Sequence, residues 1–490
     1  NNMSEKRKLT ILHSNDMHGD FFSENVDDKL IGGVSYLSGY INKVREEEDE
    51  VLYMVAGDMF RGSIIDSEFL GLSTIEIMNA LGPDVVAIGN HEVDYGLTHL
   101  LFIEKCARFP VVNANLYIRT NASRLFSPYK IFDIDGMKVL VIGILTEEVL
   151  SSFKKENVIG TIIDTTDAAR EVEKIVNAHA SIDIDFTVLL THIGFEEDKQ
   201  LAMQLSPDAG VDIIIGGHSH TLLEKPEVVN GIPIVQAGTG TDHIGRFDIV
   251  VDTEKNRIES YTWQCIEIND QTCERDEQIE KVIQNFKSVT DDKYSRVVTR
   301  LWEKLTHPSR TQETSLGNMY ADIIKDRTGA DIVFIGSGSI RTTELGPIVT
   351  LGDLNTNYPY EGSLYLINID GHMLRDAFMH IFRDEAFKGH TEFYQINKEV
   401  RVVYNKANHM IESLTYNGVD VKDDDMFKVV VQDFHFASMD EFLDISQKEY
   451  GKYGKARIIC TSDVDLIHEY MAENQQIYAC VDGRMTIKDE

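Results

Sequence analysis

The sequence predicts a two-domain α/β protein. Three observations carry that expectation. At 490 residues the chain exceeds the roughly 250–300 residues at which a single hydrophobic core stops growing. Short apolar runs alternate with helix-like segments through the first half and again near the end, the pattern of helices laid over buried strands. Between the two halves lies a stretch charged along its whole length. Apolar residues at 42% and aromatic residues at 9% are enough to fill two sizeable cores.

Taken in order, the strand candidates of the first half are LTILHS (9–14), EVLYMVAG (50–57), DVVAIG (84–89), KVLVIGIL (138–145), DFTVLLTH (185–192) and VDIIIGG (211–217). Segments 34–47, 68–81 and 165–180 between them have helical character. From 245 the pattern turns to paired alternating strands, GRFDIVVD and IESYTWQCIEI, expected to complete a sheet. Residues 274–305 place Ile279, Val282, Ile283 and Phe286 at helical spacing among charges, which predicts an amphipathic linking helix. Strands near 331–335, 364–369, 400–404 and 427–432 mark the second α/β unit. The expected division is 1–270, a linker helix over 271–308, and 309–490.

Composition excludes several classes. Lys and Arg number 47 against 81 Asp and Glu, a net charge of −34. So acidic a chain repels nucleic-acid backbones and anionic lipid, so neither a nucleic-acid polymer nor a membrane is an expected partner. Five scattered cysteines form no CxxC pair, which disfavours a disulfide framework. No apolar leader opens NNMSEKRKLTILHSND and no run reaches the length of a membrane span, so a cytoplasmic protein is expected.

The strand ends carry the chemistry. The first run ends in SNDMHGD, with Asp16 and His18; the second in AGDMF, with Asp58; the third in IGNHEVDYG, with Asn90, His91 and Asp94. Later runs end in LLTHIG, with His192, and IIIGGHSHT, with His218 and His220. In open α/β sheets ligands collect beyond the carboxyl ends of strands, so these groups are expected to meet at one edge. Imidazoles, carboxylates and an amide without thiolate suit Mn²⁺, Zn²⁺, Fe or Co. Two such ions roughly 3.5–4 Å apart clamp an in-line displacement at phosphorus. A lone D-x-H is an ordinary loop pattern, and GNHE alone reads as a helix cap. Five such endings in this order do not. His99, His179, His380 and His468 lack the pattern and are read as ordinary residues.

This ordered set resembles the calcineurin-like metallophosphoesterases. LTILHSNDMHG, GDMFRGS, GNHEVDYG, VVNANL, GGHSHT and PIVQAGTG, with TSLGNMYADII, DIVFIGSGSIR, PYEG and QDF in the second half, narrow the match to the 5′-nucleotidase family. That family also holds UDP-sugar hydrolases and 2′,3′-cyclic nucleotide phosphodiesterases. The resemblance implies a four-layer α/β/β/α sandwich followed by a linker helix and a smaller α/β substrate-binding domain. It implies one divalent ion on Asp16, His18, Asp58 and His220, and a second on Asp58, Asn90, His192 and His218. His91, oriented by Asp94, would face the phosphoryl oxygen, where charge develops, and a metal-activated water would be the nucleophile. In the second domain it implies a phosphate contact from Arg341, stacking of the base between Phe393 and Phe434, and a ribose contact from Asp440.

The nucleoside end departs from the family pattern. FHFASMDE lacks the usual glycines, and YQINKE stands where relatives carry smaller residues. The expected activity is therefore metal-dependent hydrolysis of nucleotide phosphate esters by a monomer or weak dimer. Cyclic-nucleotide phosphodiesterase and nucleotide-sugar or dinucleotide pyrophosphatase are the rivals within the enzyme class, and a thiosulfate-handling hydrolase is more remote. A catalytically silent nucleotide-binding scaffold is the reading from another class, and the intact ligand set argues against it.

Overall fold

The computed structural model describes residues 5–118, 121–150, 163–389 and 391–490. The chain divides between Thr290 and Asp291 into two compact units.

The first unit is built on two six-stranded sheets. One runs, in spatial order, Arg257–Glu267, His243–Asp252, Lys6–Ser14, Val51–Ala56, Val85–Ala87, Val111–Val112. The other runs Glu227–Val229, Ile232–Val235, Ile213–Ile215, Phe186–His192, Met137–Leu145, Tyr129–Ile134. The inner strands of each are parallel, and the expected closing pair, 243–252 and 257–267, lies antiparallel at the edge.

Side chains alternate along these strands, and both faces of each sheet are buried. Ile11, Met54 and Ala87 from the first sheet share one core with Val141, Val188 and Ile215 from the second. Outward residues such as Leu12, Tyr53 and Val86 pack under helices Val34–Glu47, Leu72–Leu81 and Leu97–Cys106. Leu140, Leu189 and Ile214 do the same under helices Ala168–Ala178 and Phe195–Gln204. That is the expected four-layer sandwich.

The linker differs from expectation. Its helix spans Glu277–Tyr294 only. It starts where the Asp276 carboxylate accepts the backbone N–H groups of Gln278 and Ile279, a capping arrangement. Ile279 and Ile283 are buried in the first unit's core, beside Val282 and Phe286. The β-branched run from Val297 is instead a strand, Val297–Leu301, that buries Thr299 and Leu301 and turns Arg300 outward. Alternating burial and β-branching override the charge pattern there.

The second unit has a five-stranded mixed sheet in the order Tyr394–Ile396, Ile332–Gly336, Met426–Gln432, Leu364–Asp370, Arg457–Cys460. A four-stranded sheet includes Val400–Asn405 and Met485–Lys488, and a three-stranded one is centred on Val297–Leu301. Helix Ser315–Thr328 is capped by the Thr314 hydroxyl, which accepts from Gly317 N–H at 3.0 Å, and it ends at Gly329 in the left-handed region. Among the described residues no helix is long and apolar enough to cross a membrane.

Candidate metal centre

Each metal-capable residue of the first unit stands at or just beyond a strand's carboxyl end. Asp16 and His18 follow Lys6–Ser14, Asp58 follows Val51–Ala56, and Asn90 opens the turn after Val85–Ala87. His192 closes Phe186–His192, and His218 and His220 follow Ile213–Ile215. To bring them inward the backbone leaves the usual region. Asp16, His18, Asp58, His218 and His220 have φ of 51°, 50°, 58°, 80° and 56°. Non-glycine residues with positive φ are uncommon, and they cluster at functional sites.

Two groups result, Asp16 with His18 and His220, and Asp58 with His192 and His218. They are contiguous. His18 Nε2 lies 3.7 Å from both Asp16 Oδ1 and Asp58 Oδ2. His192 Nε2 is 2.9 Å from Asp58 Oδ2 and 3.8 Å from Asp16 Oδ1. Asn90 Oδ1 is 3.1 Å from both His192 Nε2 and His218 Nδ1.

The far side of three of the four imidazoles is held. His18 Nδ1 meets the Phe60 carbonyl at 2.9 Å, His192 Nδ1 the Ala56 carbonyl at 2.8 Å, and His218 Nε2 the Glu148 carboxylate at 2.9 Å. An Nδ1–H given to a carbonyl leaves a lone pair at Nε2, the tautomer a metal needs.

The donor set fits divalent ions on further grounds. His18 Nε2 and His220 Nε2 face each other at 3.2 Å, and the buried Asp16 Oδ1 has no hydrogen-bond partner. Burial works against a charged His192, yet the Asp58 and Asp16 carboxylates outweigh it and raise its pKa to about 9. For His18 burial is likewise outweighed, by Asp16 and Asp58, with the same result of about 9. Burial opposes ionisation of Asp16 too, but His18, His220 and His192 hold its carboxyl well below the usual range. The cluster demands positive charge at its centre, as protons or as metal.

His91 and Asp94 adjoin this cluster. His91 Nδ1 is 2.6 Å from Asp94 Oδ2, and the His91 backbone N–H donates to Asp58 Oδ1 at 2.9 Å. The Asp94 hydrogen bond raises the His91 pKa against the effect of burial. The expected catalytic pair is thus in contact, tied to a candidate bridging carboxylate.

Several positions around the site are passed over by the sequence reading. Glu92 accepts backbone N–H groups from Asp58 at 2.7 Å and Gly89 at 2.9 Å, and burial with the nearby Asp58 charge pushes its pKa up to about 8. Asn15 Nδ2 donates to Asp16 Oδ2 at 2.7 Å. Arg61 approaches Asp94, Nε to Oδ2, at 3.7 Å. Glu92 and Arg61 sit inside GNHE and GDMFRGS, so motif position is a signal that could have found them.

The second unit departs from the expectation drawn from resemblance. Arg341 is exposed after the turn Ser337–Ser339, with its guanidinium over the Tyr360 ring at 5.7 Å and its Nη1 donating to the Gly338 carbonyl at 3.3 Å. Phe434 is 62% exposed and Asp440 is exposed on the helix Met439–Leu443. Phe393 is not available as a stacking face. It is 2% exposed, 6.1 Å from Phe382 and 5.8 Å from Phe387, inside the unit's aromatic core. Apolar packing, worth more to a ring than solvent, decides its place.

A four-layer sandwich with histidine, aspartate and asparagine donors at its strand ends defines a calcineurin-like metallophosphoesterase. Residues 9–222 match the family model described as calcineurin-like phosphoesterase, and 297–446 match that of the 5′-nucleotidase C-terminal domain. The chain belongs to the 5′-nucleotidase family, hydrolases of phosphoric ester bonds. It is 26% identical over 543 residues to snake venom 5′-nucleotidase of Naja atra, with 98% of each chain covered. To the 5′-nucleotidase of Rattus norvegicus it is 26% identical over 537 residues, covering 98% of this chain and 90% of that one. The fold is shared with the 5′-nucleotidase precursor from Thermus thermophilus at a TM-score of 0.70 and 24% identity, covering 99% and 100% of the two chains.

Proposed function

We propose that this chain hydrolyses phosphate esters of nucleotides, with two divalent ions held by the strand-end cluster. One observation supports it most: two donor groups share the space between Asp16 and Asp58, and the His91–Asp94 pair is bonded to one of those carboxylates. Asp16, His18, Asp58 and His220 would hold one ion, and Asp58, Asn90, His192 and His218 the other. When bound, such ions supply Lewis-acid polarisation of the phosphoryl oxygens and an activated water.

The chain's own residues do the rest. Glu92 holds the Asp58 backbone N–H and the His91 N–H holds its Oδ1, which together position the shared carboxylate. Asp94 orients the His91 ring and holds its Nδ1 proton, which would leave Nε2 to donate to the phosphoryl oxygen, where charge develops. Arg341, Phe434 and Asp440 would bind the remainder of the nucleotide. Phe393 drops out as a stacking partner and Phe434 remains, so a base would stack on one ring. Cytoplasmic residence belongs to the same proposal and rests on the scattered, odd-numbered cysteines.

The test is phosphate release from AMP, other monophosphates, 2′,3′-cyclic AMP, UDP-glucose and an aryl phosphate, with Mn²⁺ and with chelator. Metal-dependent release from a nucleotide supports the proposal. No release from any substrate in metal-replete enzyme would refute it.

A further inference from the structure

We propose that Glu148 is a positioning residue for one of the two ions. Its carboxylate holds the His218 ring so that the Nδ1 lone pair is left for the ion shared with Asp58, Asn90 and His192. The inference rests on the metal reading above.

The strand Met137–Leu145 supplies none of the candidate ligands, although it runs parallel beside Phe186–His192 and ends level with it, Leu145 opposite His192. The residues after it are held by hydrogen bonds. The Thr146 N–H donates to the His192 carbonyl at 3.0 Å, the Val149 N–H to the Thr146 carbonyl at 3.3 Å, and the Leu150 N–H to the Glu147 carbonyl at 3.0 Å. The Glu148 N–H donates to the Thr146 hydroxyl at 3.3 Å, and Val149 is buried in the first unit's core. Residue 148 is thus pinned on both sides, to the backbone of one candidate ligand and to the core.

From there the side chain crosses to a second ligand of the same group. Glu148 Oε2 lies 2.9 Å from His218 Nε2, while the other ring nitrogen, Nδ1, lies 3.1 Å from Asn90 Oδ1. An ionised carboxylate only accepts, so in the neutral ring the proton stands on Nε2 and Nδ1 is bare. Two acceptors, Nδ1 and the Asn90 oxygen, then face each other, as two ligands of one cation do. His218 is used the opposite way from its neighbours. His18 and His192 give Nδ1 to backbone carbonyls and turn Nε2 toward Asp58. The other restraints on His218, its N–H donated to Asp16 Oδ2 and its φ of 80°, fix the backbone but neither the ring's flip nor its tautomer. Glu148 fixes both.

Stability does not account for the contact. The Glu148 side chain is 71% exposed and that of His218 21%, and a pair so placed contributes little to folding. A carboxylate on the far nitrogen of a ligating imidazole instead sets its orientation and raises its basicity as a ligand. The carbonyls behind His18 and His192 are neutral, so Glu148 brings a full charge where those two rings have none.

Glu148→Ala and Glu148→Gln in the full chain test this, by calorimetric titration of metal-free protein with Mn²⁺. Glu148→Ala should weaken one of the two ions by about 10- to 100-fold, the scale of losing such a partner, and leave the other near its wild-type affinity. A loss of that size separates the two binding steps even where the wild-type isotherm merges them. Glu148→Gln should recover part of it, since the amide oxygen still accepts from Nε2 while the charge is gone. The melting temperature of the metal-free protein should not move in either variant. Wild-type affinity for both ions in Glu148→Ala would overturn the proposal. So would an equal loss at both ions with Gln no better than Ala, which would make Glu148 one part of the chain's general negative charge. A lower metal-free melting temperature without a loss confined to one ion would assign the residue to the fold and overturn it too. Wild-type protein that binds no Mn²⁺ would instead overturn the metal reading, and this one with it.

Discussion

Gly217→Ala probes the metal centre without removing a ligand. The added methyl would lie 2.6 Å from the Ala56 carbonyl oxygen, 2.9 Å from Asp16 Oδ2 and 3.0 Å from His192 Nδ1. Ordinary contact begins at 3.4 Å, so the carbonyl must yield by about 0.8 Å and the other two atoms by about half that. Those atoms already have partners. The Ala56 carbonyl orients His192, and Asp16 Oδ2 accepts from Asn15 Nδ2 and from the His218 N–H. One methyl therefore disturbs the supports of both donor groups. Loss of such supports costs about 10- to 100-fold in metal affinity, and overpacking costs roughly 1–3 kcal/mol of stability. Calorimetric titration of metal-free protein with Mn²⁺ would measure the first and thermal unfolding the second. Gly451, where an added Cβ meets nothing within 4 Å, is the neutral control. If Gly217→Ala bound two ions with wild-type affinity, the hydrogen bonds at the strand ends would not be what aims the ligands.

Other outcomes follow from the same geometry. His91→Ala should lower kcat/KM by about 10²- to 10⁴-fold while metal content stays at the wild-type level; an unaltered rate would remove His91 from the mechanism. Arg341→Ala should raise KM for nucleotides far more than for a small aryl phosphate, and equal effects would contradict its proposed place. Chelation should lower the melting temperature and Mn²⁺ should restore it, since free ion at 100 times Kd contributes about 2.7 kcal/mol per site. His13 is fully buried, accepts from Trp263 Nε1 at 3.0 Å, and burial pushes its pKa down to about 3. The unfolded chain then binds the extra proton below about pH 6.5, so stability falls as pH drops from there towards 3, by roughly 4 kcal/mol in all. His13→Gln should flatten that slope in urea unfolding, and an unchanged slope would assign it to other groups.

The first unit was legible because each ligand follows its buried strand within five residues, so apolar runs locate the polar ends. Asp16 after LTILHS and His192 after FTVLL need no knowledge of the fold beyond strand direction. The linker was misjudged because charges continue past the helix at Arg296, Arg300, Glu303 and Lys304, and only partner strands 348–350 and 476–477 make 297–301 a strand. Phe393 was misjudged for a related reason. Its burial depends on Phe382 and Phe387, which a helix and turn bring to it. Arg61 and Glu92 were in quoted motifs, yet their contacts with Asp94 and Asp58 cross between loops and leave no periodic trace.

The backbone of the site explains why its motifs read jointly. Five donors with positive φ, at about 1–3 kcal/mol each, would together approach the entire stability of a typical domain. Asp and His tolerate that region better than branched residues, so the cost here lies toward the lower end. It still has to be offset locally, and the offset comes from one ligand loop bonding to another. Asp16 N–H donates to the Gly57 carbonyl at 3.0 Å and His18 N–H to the Asp58 carbonyl at 3.1 Å. His218 N–H donates to Asp16 Oδ2 at 2.9 Å, and His91 N–H to Asp58 Oδ1 at 2.9 Å. No loop holds its conformation alone. A change at one strand end is therefore felt at the others, and cations held by Asp16, Asp58 and the histidines would add to the same mutual support.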